Sequence, residues 1–246
     1  MKKCIAIICR QPQLSWLYFL NAFENYDIFF IIDDNQTDYN IMYKSLFPQI
    51  NFIQIDEKVC QDAGFNNSST ALGFKTVIAW DKALYFFSQI NKDYEHMWFI
   101  EDDVFFYNEN TILTIDTNYP ESDILSQSYE GGINIDGKRD DWHWSLIIPH
   151  IRDIEPPYYS TIICAVRMSK SLMMCINEYV TKNKSMFYIE SFFSTIAKSN
   201  NLIYDNPLEL RTIISSRRWN FDELNRVNLF HPIKNVIDHV NLRRLL

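Results

Sequence analysis

Three short, predominantly apolar runs constrain this chain most: Lys3–Cys9, Tyr26–Ile32 and Met97–Ile100. Apolar runs this short, without alternation, suit strands buried on both faces. Between them lie segments whose apolar residues recur at three-and-four spacing. Gln13–Glu24 carries Leu14, Leu17, Phe19, Leu20 and Phe23. Lys75–Ile90 carries Val77, Trp80, Leu84 and Phe87, with Ser68, Ser69 and Thr70 upstream as candidate caps. Asn51–Asp56 alternates weakly and adds a strand. This strand–helix order predicts an α/β fold, with a mostly parallel central sheet and helices on both faces.

The second half is less regular. Asp123–Ser128 and Thr161–Met168 read as strands, Arg167 being the one unusual core member. Ser169 is placed to cap a helix running to about Tyr179, and Ser185–Asn200 reads as another helix. Residues 130–158 hold three glycines and three prolines and read as a long irregular stretch, with Tyr129-Glu130-Gly131-Gly132 as a tight turn. No linker or repeat divides the chain. Residues 1–246 are therefore expected to form one domain, with residues 1–110 its regular half and residues 111–246 its less regular half.

The net charge is −8, which argues against a nucleic-acid partner. Residues 211–246 hold seven Arg/Lys against three acids, or +4, so the first 210 residues carry −12. The five cysteines (Cys4, Cys9, Cys60, Cys164, Cys175) form no CxxC pair and lie in apolar stretches. They read as reduced core thiols of a cytoplasmic protein. Arg10 interrupts the first apolar run, so no signal peptide is expected, and no stretch reaches the ~18 apolar residues of a membrane span.

The strongest chemical signal is MWFIEDDVFF, residues 97–106. Glu101, Asp102 and Asp103 end an apolar strand and are followed by apolar residues. Gathering like charges in such a place is costly without a cation. Strand alternation sends Glu101 and Asp103 to one face and Asp102 to the other. Two carboxylates so spaced suit Mn²⁺ or Mg²⁺, or one suits the metal and the other a ribose hydroxyl. Asp33 and Asp34 end the second run. They can accept hydrogen bonds from a base or sugar, and Asp-Asp-Asn is equally ordinary turn composition. Cys9 and Arg10 end the first run beside them.

An apolar strand ending in Glu-Asp-Asp after strand–helix units resembles the nucleotide-sugar-dependent glycosyltransferases of the GT-A fold, a single Rossmann-like domain. The resemblance implies that residues 1–110 are the nucleotide-binding half and residues 111–246 the acceptor-binding half and C-terminal closing segment. It implies that Asp103 ligates a metal bridging the donor's two phosphates, with Glu101 toward the ribose or metal waters and Asp102 near the sugar or the motif's backbone. It implies that Asp33, Asp34, Cys9 and Arg10 border the nucleotide. Phe230-His231-Pro232-Ile233-Lys234 resembles the family's C-terminal closing element, with His231 as a nitrogen ligand and Lys234 on the β-phosphate; His239 is a weaker candidate for the histidine role. Glu190, before an apolar helix, stands where inverting members carry their base, and Asp140 and Asp141 are the fallback. Without such an acid, a retaining route is implied. Asp141-Trp142-His143-Trp144 offers aromatic faces to a sugar or to the core.

The implied function is metal-dependent transfer, with inversion, of a sugar from a nucleoside diphosphate donor, UDP-sugar foremost, to a hydroxyl of a glycan. Two alternatives remain. One is a non-catalytic glycan- or nucleotide-sugar-binding protein on the same fold. The other is a sugar-phosphate nucleotidyltransferase, disfavoured because Cys9-Arg10-Gln11-Pro12-Gln13 lacks the glycines that cradle a triphosphate, and no Gly precedes Gly64.

Overall fold

Alternation along each central strand divides the core between two faces of one sheet. In β1 (Lys2–Cys9), Cys4, Ala6 and Ile8 point to one hydrophobic cluster and Ile5, Ile7 and Cys9 to the other. In β4 (Tyr94–Glu101), Met97 and Phe99 join the first and Trp98 and Ile100 the second. Both faces are covered, which is why these runs show no polar alternation. The computed structural model describes residues 2–69, 73, 76–90, 94–134 and 142–245.

The sheet has seven strands in the order β3-β2-β1-β4-β6-β5-β7. β2 is Asp27–Ile32, β3 Ile50–Gln54, β5 Ile124–Asn134, β6 Tyr158–Ser169 and β7 Tyr204–Asp205. The β3, β2, β1 and β4 pairings are parallel, as is β5 with β7; β6 runs antiparallel to both neighbours. The expected mostly parallel α/β sheet is thus present. The helices are α1 (Leu14–Leu20), α2 (Tyr39–Tyr43), α3 (Glu57–Ala63), α4 (Ala79–Gln89), α5 (Glu109–Asn118), α6 (Trp144–Ile147), α7 (Lys170–Asn183), α8 (Ile189–Ser199) and α9 (Val236–Leu245).

Four local expectations need correction. α1 and α4 are shorter than their apolar patterns. α4 starts after Ile78, not at the serines: the Asp81 carboxylate accepts the Ile78 N–H at 2.8 Å, and Ser68 Oγ donates to that carboxylate at 2.8 Å. An acid in the first turn has taken the cap's role. The short helices α2 and α3 carry no long apolar stripe; Asp38 and Asp56 cap them by accepting from Ile41 N and Lys58 N. Gly131 and Gly132 lie inside β5, across a register irregularity between Ser128 and Ile133, rather than in a turn. Glycine there accommodates a bulge. Residues 142–150 include α6 and a 3₁₀ turn, so the stretch is not wholly irregular.

Ser169 does cap α7, accepting Leu172 N–H at 3.1 Å, and its hydroxyl donates to Asp123 at 2.6 Å. Ser169→Ala should cost about 1–2 kcal/mol, a fall of roughly 2–8 °C in melting temperature. An unchanged melting curve would show that α7 does not need the cap.

Arg167 is fully buried on β6. Its guanidinium meets Asp116 of α5 at 3.0 Å and the carbonyls of Tyr119 and Ser122. Asp116 also accepts from Tyr26 Oη at 2.7 Å and Trp98 Nε1 at 3.0 Å, and pairs with Lys3 at 3.0 Å. This polar knot joins β1, β4, β6 and α5 under the sheet.

Candidate active site

Strand register gathers the chemistry at one edge. Cys9 pairs with Ile32 and Ile8 with Glu101, so Arg10, Asp33 and the Glu101–Asp103 acids leave the sheet side by side. Backbone bonds hold these exits: Asp33 N–H donates to Cys9 O at 3.0 Å and Asp102 N–H to Ile8 O at 3.2 Å. Ligands of open α/β sheets bind beyond this carboxyl edge.

The C-terminal segment then returns across it. Phe105 and Phe230 exchange both backbone hydrogen bonds at 2.8 Å, and Ile233 N–H donates to Asp103 O at 2.7 Å. Trp219 Nε1 donates to His231 O at 2.9 Å. His231 is thereby set with Nε2 3.2 Å from Asp103 Oδ1 and 4.0 Å from Glu101 Oε2. Its Nδ1 lies 2.6 Å from the Ile214 carbonyl. Nδ1–H donating there aims Nε2 at Asp103, so that Nε2, on losing its proton, would present its lone pair to a cation, the orientation typical of a ligating histidine.

Trp80 Nε1, in the first turn of α4, donates to Glu101 Oε1 at 2.9 Å. Burial raises the Glu101 pKa, and Asp103 adds to this against the Trp80 bond and His231. Burial together with the charges of Asp103 and Glu101 pushes Asp102 up to about 6. Burial would raise Asp103 too, but His231 and Lys234 outweigh it and hold that carboxyl below its usual range. Burial disfavours charge on His231, yet Asp103, the Ile214 carbonyl and Glu101 prevail and raise its pKa.

These residues fit a hard divalent ion. The acids supply oxygen, His231 an aimed nitrogen, and the charge that burial penalises at Glu101 and Asp102 is what a cation would relieve.

Two cavities adjoin the acids. One of about 310 Å³ is bordered by Cys9, Arg10, Asp33, Trp80 and Glu101–Asp103. The other, about 290 Å³, shares Arg10 and Asp33 and adds Asp34, Gln36, Glu57 and Lys82. Asp33 pairs at 2.8 Å with Lys82, a buried cation of α4 that the sequence reading did not single out. Asp34 accepts from Gln11 Nε2, Gln36 N–H and Tyr39 Oη at 2.8–3.0 Å. Backbone and tyrosine bonds, with Gln11 and Arg10, outweigh burial and lower its pKa. Asp34 therefore shapes the loop after β2 as well as facing the cavity. The Cys9 sulfur points into the core, its closest acceptor being Ile31 O at 3.9 Å, and burial raises its pKa well above the usual value.

Lys234 is exposed and lines a third cavity, about 830 Å³, with Arg217, Arg218 and Trp219. Arg217 stacks over Trp219 at 4.3 Å and pairs with Glu223.

Glu190 sits in the first turn of α8. Burial pushes its carboxyl up to about 7; the Tyr188 hydrogen bond opposes this, and Glu101 is close enough for its charge to add. Trp142 packs tilted and His143 edge-on against Tyr188, ring centroids 5.8 and 6.1 Å apart, and Tyr188 is the hydrogen-bond partner of Glu190, whereas Trp144 is wholly buried. Asp140 and Asp141 lie outside the described residues.

His239 is not a second ligand. It is buried between Trp16 and Phe105, and its Nε2 is 2.7 Å from the Ile233 carbonyl, with Arg243 beside it. Cys164 was read only as core. In fact the β4–β6 register, Ile100 opposite Ala165, brings it next to Glu101. No spacing within TIICAVRM signals that neighbour. None of the five cysteines, all among the described residues, forms a disulfide; Cys175 is half-buried and the other four are buried.

The fold and site define an α/β domain with an acid–histidine cluster at the carboxyl edge of a mostly parallel sheet. No protein-family model matches the sequence, and no curated protein matches it. Among solved structures, the chain is similar to 4-diphosphocytidyl-2C-methyl-D-erythritol synthase from Anaerococcus prevotii at 9% identity, covering 99% of this chain and 96% of that one, TM-score 0.46. It is also similar to the apo form of mouse xyloside xylosyltransferase 1 (12% identity, 84% of both chains, TM-score 0.43). A third likeness is to the galactosyltransferase LgtC in complex with donor and acceptor sugar analogs (11% identity, 99% and 96% of the two chains, TM-score 0.48). No described helix is long and apolar enough to cross a membrane.

Proposed function

We propose that this chain is a glycosyltransferase that moves a sugar, with inversion, from a nucleoside diphosphate donor, UDP-sugar foremost, to a hydroxyl of a glycan acceptor. The observation that carries the reading is the placement of His231 Nε2 3.2 Å from Asp103 at the carboxyl end of β4. A segment more than a hundred residues downstream has been folded back to complete an acid cluster beside two open cavities.

Asp103, Glu101 and His231 would hold Mn²⁺ or Mg²⁺. The ion would supply Lewis-acid neutralisation of the departing diphosphate. Arg10, Asp33 and Asp34 border the nucleotide, and Trp80 fixes the Glu101 carboxylate by its indole N–H. Lys234 lends positive charge to the β-phosphate as the bond to the anomeric carbon breaks. Glu190 takes the proton of the acceptor hydroxyl as its oxygen forms the new bond to that carbon. The diphosphate leaves with the electron pair of the broken bond. The half-buried Trp142 ring suits the C–H face of a sugar.

The test is thermal melting with UDP, with and without Mn²⁺. At about 100 times the dissociation constant, UDP should add about 2.7 kcal/mol, or roughly 5–11 °C, and only with metal. Asp103→Asn should lose that shift while melting normally without ligand. A shift indifferent to metal would favour a nucleotide-sugar-binding protein without catalysis. No shift with any UDP- or GDP-sugar would end the reading.

A further inference from the structure

The antiparallel β6 brings a sulfur into the acid cluster. A carboxylate oxygen of Glu101, Sγ of Cys164 and a ring nitrogen of His231 all lie within 4.8 Å of one another. Tetrahedral bonds of about 2.0–2.3 Å would put such atoms some 3.2–3.8 Å apart, so modest side-chain rotation closes the set. The histidine is already oriented by Ile214. The set has three protein ligands of mixed sulfur, nitrogen and oxygen type, which leaves a fourth position for water or ligand. That is the composition of an open zinc site. Thiolate and imidazole discriminate in favour of Zn²⁺ over the harder Mn²⁺ and Mg²⁺.

Glu101 and His231 belong to both donor sets. Asp103 belongs only to the harder one and Cys164 only to the softer. We propose that Zn²⁺ binds Glu101, Cys164 and His231 and, by occupying the two shared ligands, excludes Mn²⁺ from Glu101, Asp103 and His231. The exclusion of Mn²⁺ rests on the proposed function; the zinc set stands on its own three residues. Binding replaces the thiol S–H bond by an S–Zn bond, and the proton leaves to solvent.

Co²⁺ is the probe, added to the intact chain. It should give a thiolate-to-cobalt charge-transfer band, release at least about one proton, and be displaced by equimolar Zn²⁺. Cys164→Ser should abolish the band, as should His231→Gln, while Asp103→Asn should keep it. Melting curves of each variant exclude misfolding as the cause. Mn²⁺ binding, followed by electron paramagnetic resonance, should survive in Cys164→Ser, and displacing that Mn²⁺ should take at least about tenfold more Zn²⁺ than in the wild type. No band in the wild type, a band that persists in Cys164→Ser, or simultaneous binding of Mn²⁺ and Zn²⁺ would overturn the proposal. A missing UDP shift with an intact cobalt band would instead overturn the transferase reading alone.

Discussion

On the proposed mechanism, Glu190→Gln should lower sugar transfer by about 10²–10⁴-fold, the usual contribution of a positioned general base, while UDP and metal binding stay unchanged. Glutamine keeps the shape of the side chain and its place in α8 but cannot take a proton. The pH profile separates this role from a structural one. Burial pushes the Glu190 carboxyl up to about 7, and the base works only when ionised, so the wild-type rate should climb with pH through about 7 and then level off. In the glutamine variant that limb should vanish. Stability runs the other way. A carboxyl whose pKa is raised by folding binds its proton more tightly in the folded state. Its stabilising contribution is therefore present at acid pH, below the unfolded value, and fades as pH rises toward 7. The wild-type protein should gain rate and lose some stability across the same window, and the variant should show neither trend at this site. A variant that retains the wild-type rate would leave inversion without its base.

Arg167→Met should destabilise the fold by about 3–5 kcal/mol, the cost of breaking a buried ion pair from one side, which corresponds to roughly 6–20 °C in melting temperature. Asp116 would remain buried with Lys3, Tyr26 and Trp98 still donating, but the guanidinium that also satisfies the Tyr119 and Ser122 carbonyls would be gone. The double variant Asp116→Asn, Arg167→Met removes a buried carboxylate charge that has lost one of its two cations and should recover part of the loss. Urea denaturation measures both. A single variant within about 1 kcal/mol of wild type would show that the knot contributes no more than a surface pair does. Because Arg167 pairs across β6 with Trp98 of β4, the same knot helps fix the register that sets Cys164 beside Glu101.

Much of this arrangement could be read from the chain because it depends on local pattern. Apolar runs without alternation mark strands covered on both faces, and Lys2–Cys9, Asp27–Ile32 and Tyr94–Glu101 are such strands. Acids set directly after an apolar strand stand out because their burial is costly, so Glu101, Asp102 and Asp103 were visible without any structure. The short helices α2 and α3 were not. Their few turns carry too little periodicity to register, and single capping aspartates decide them. The start of α4 was misplaced because an acid one turn inside the helix, rather than an upstream hydroxyl, receives the free backbone N–H.

What the sequence alone determined is the α/β class and the identity of the acids at the end of one strand, since hydrophobic periodicity and the cost of buried charge act over neighbouring residues. Only the tertiary structure decided which distant groups meet them. His231 arrives through an exchange of backbone hydrogen bonds between Phe105 and Phe230, and Cys164 through an antiparallel register. Both are pairings between backbones far apart in the chain, and backbone donors and acceptors are the same for nearly every residue, so no side-chain pattern announces which partner they will find.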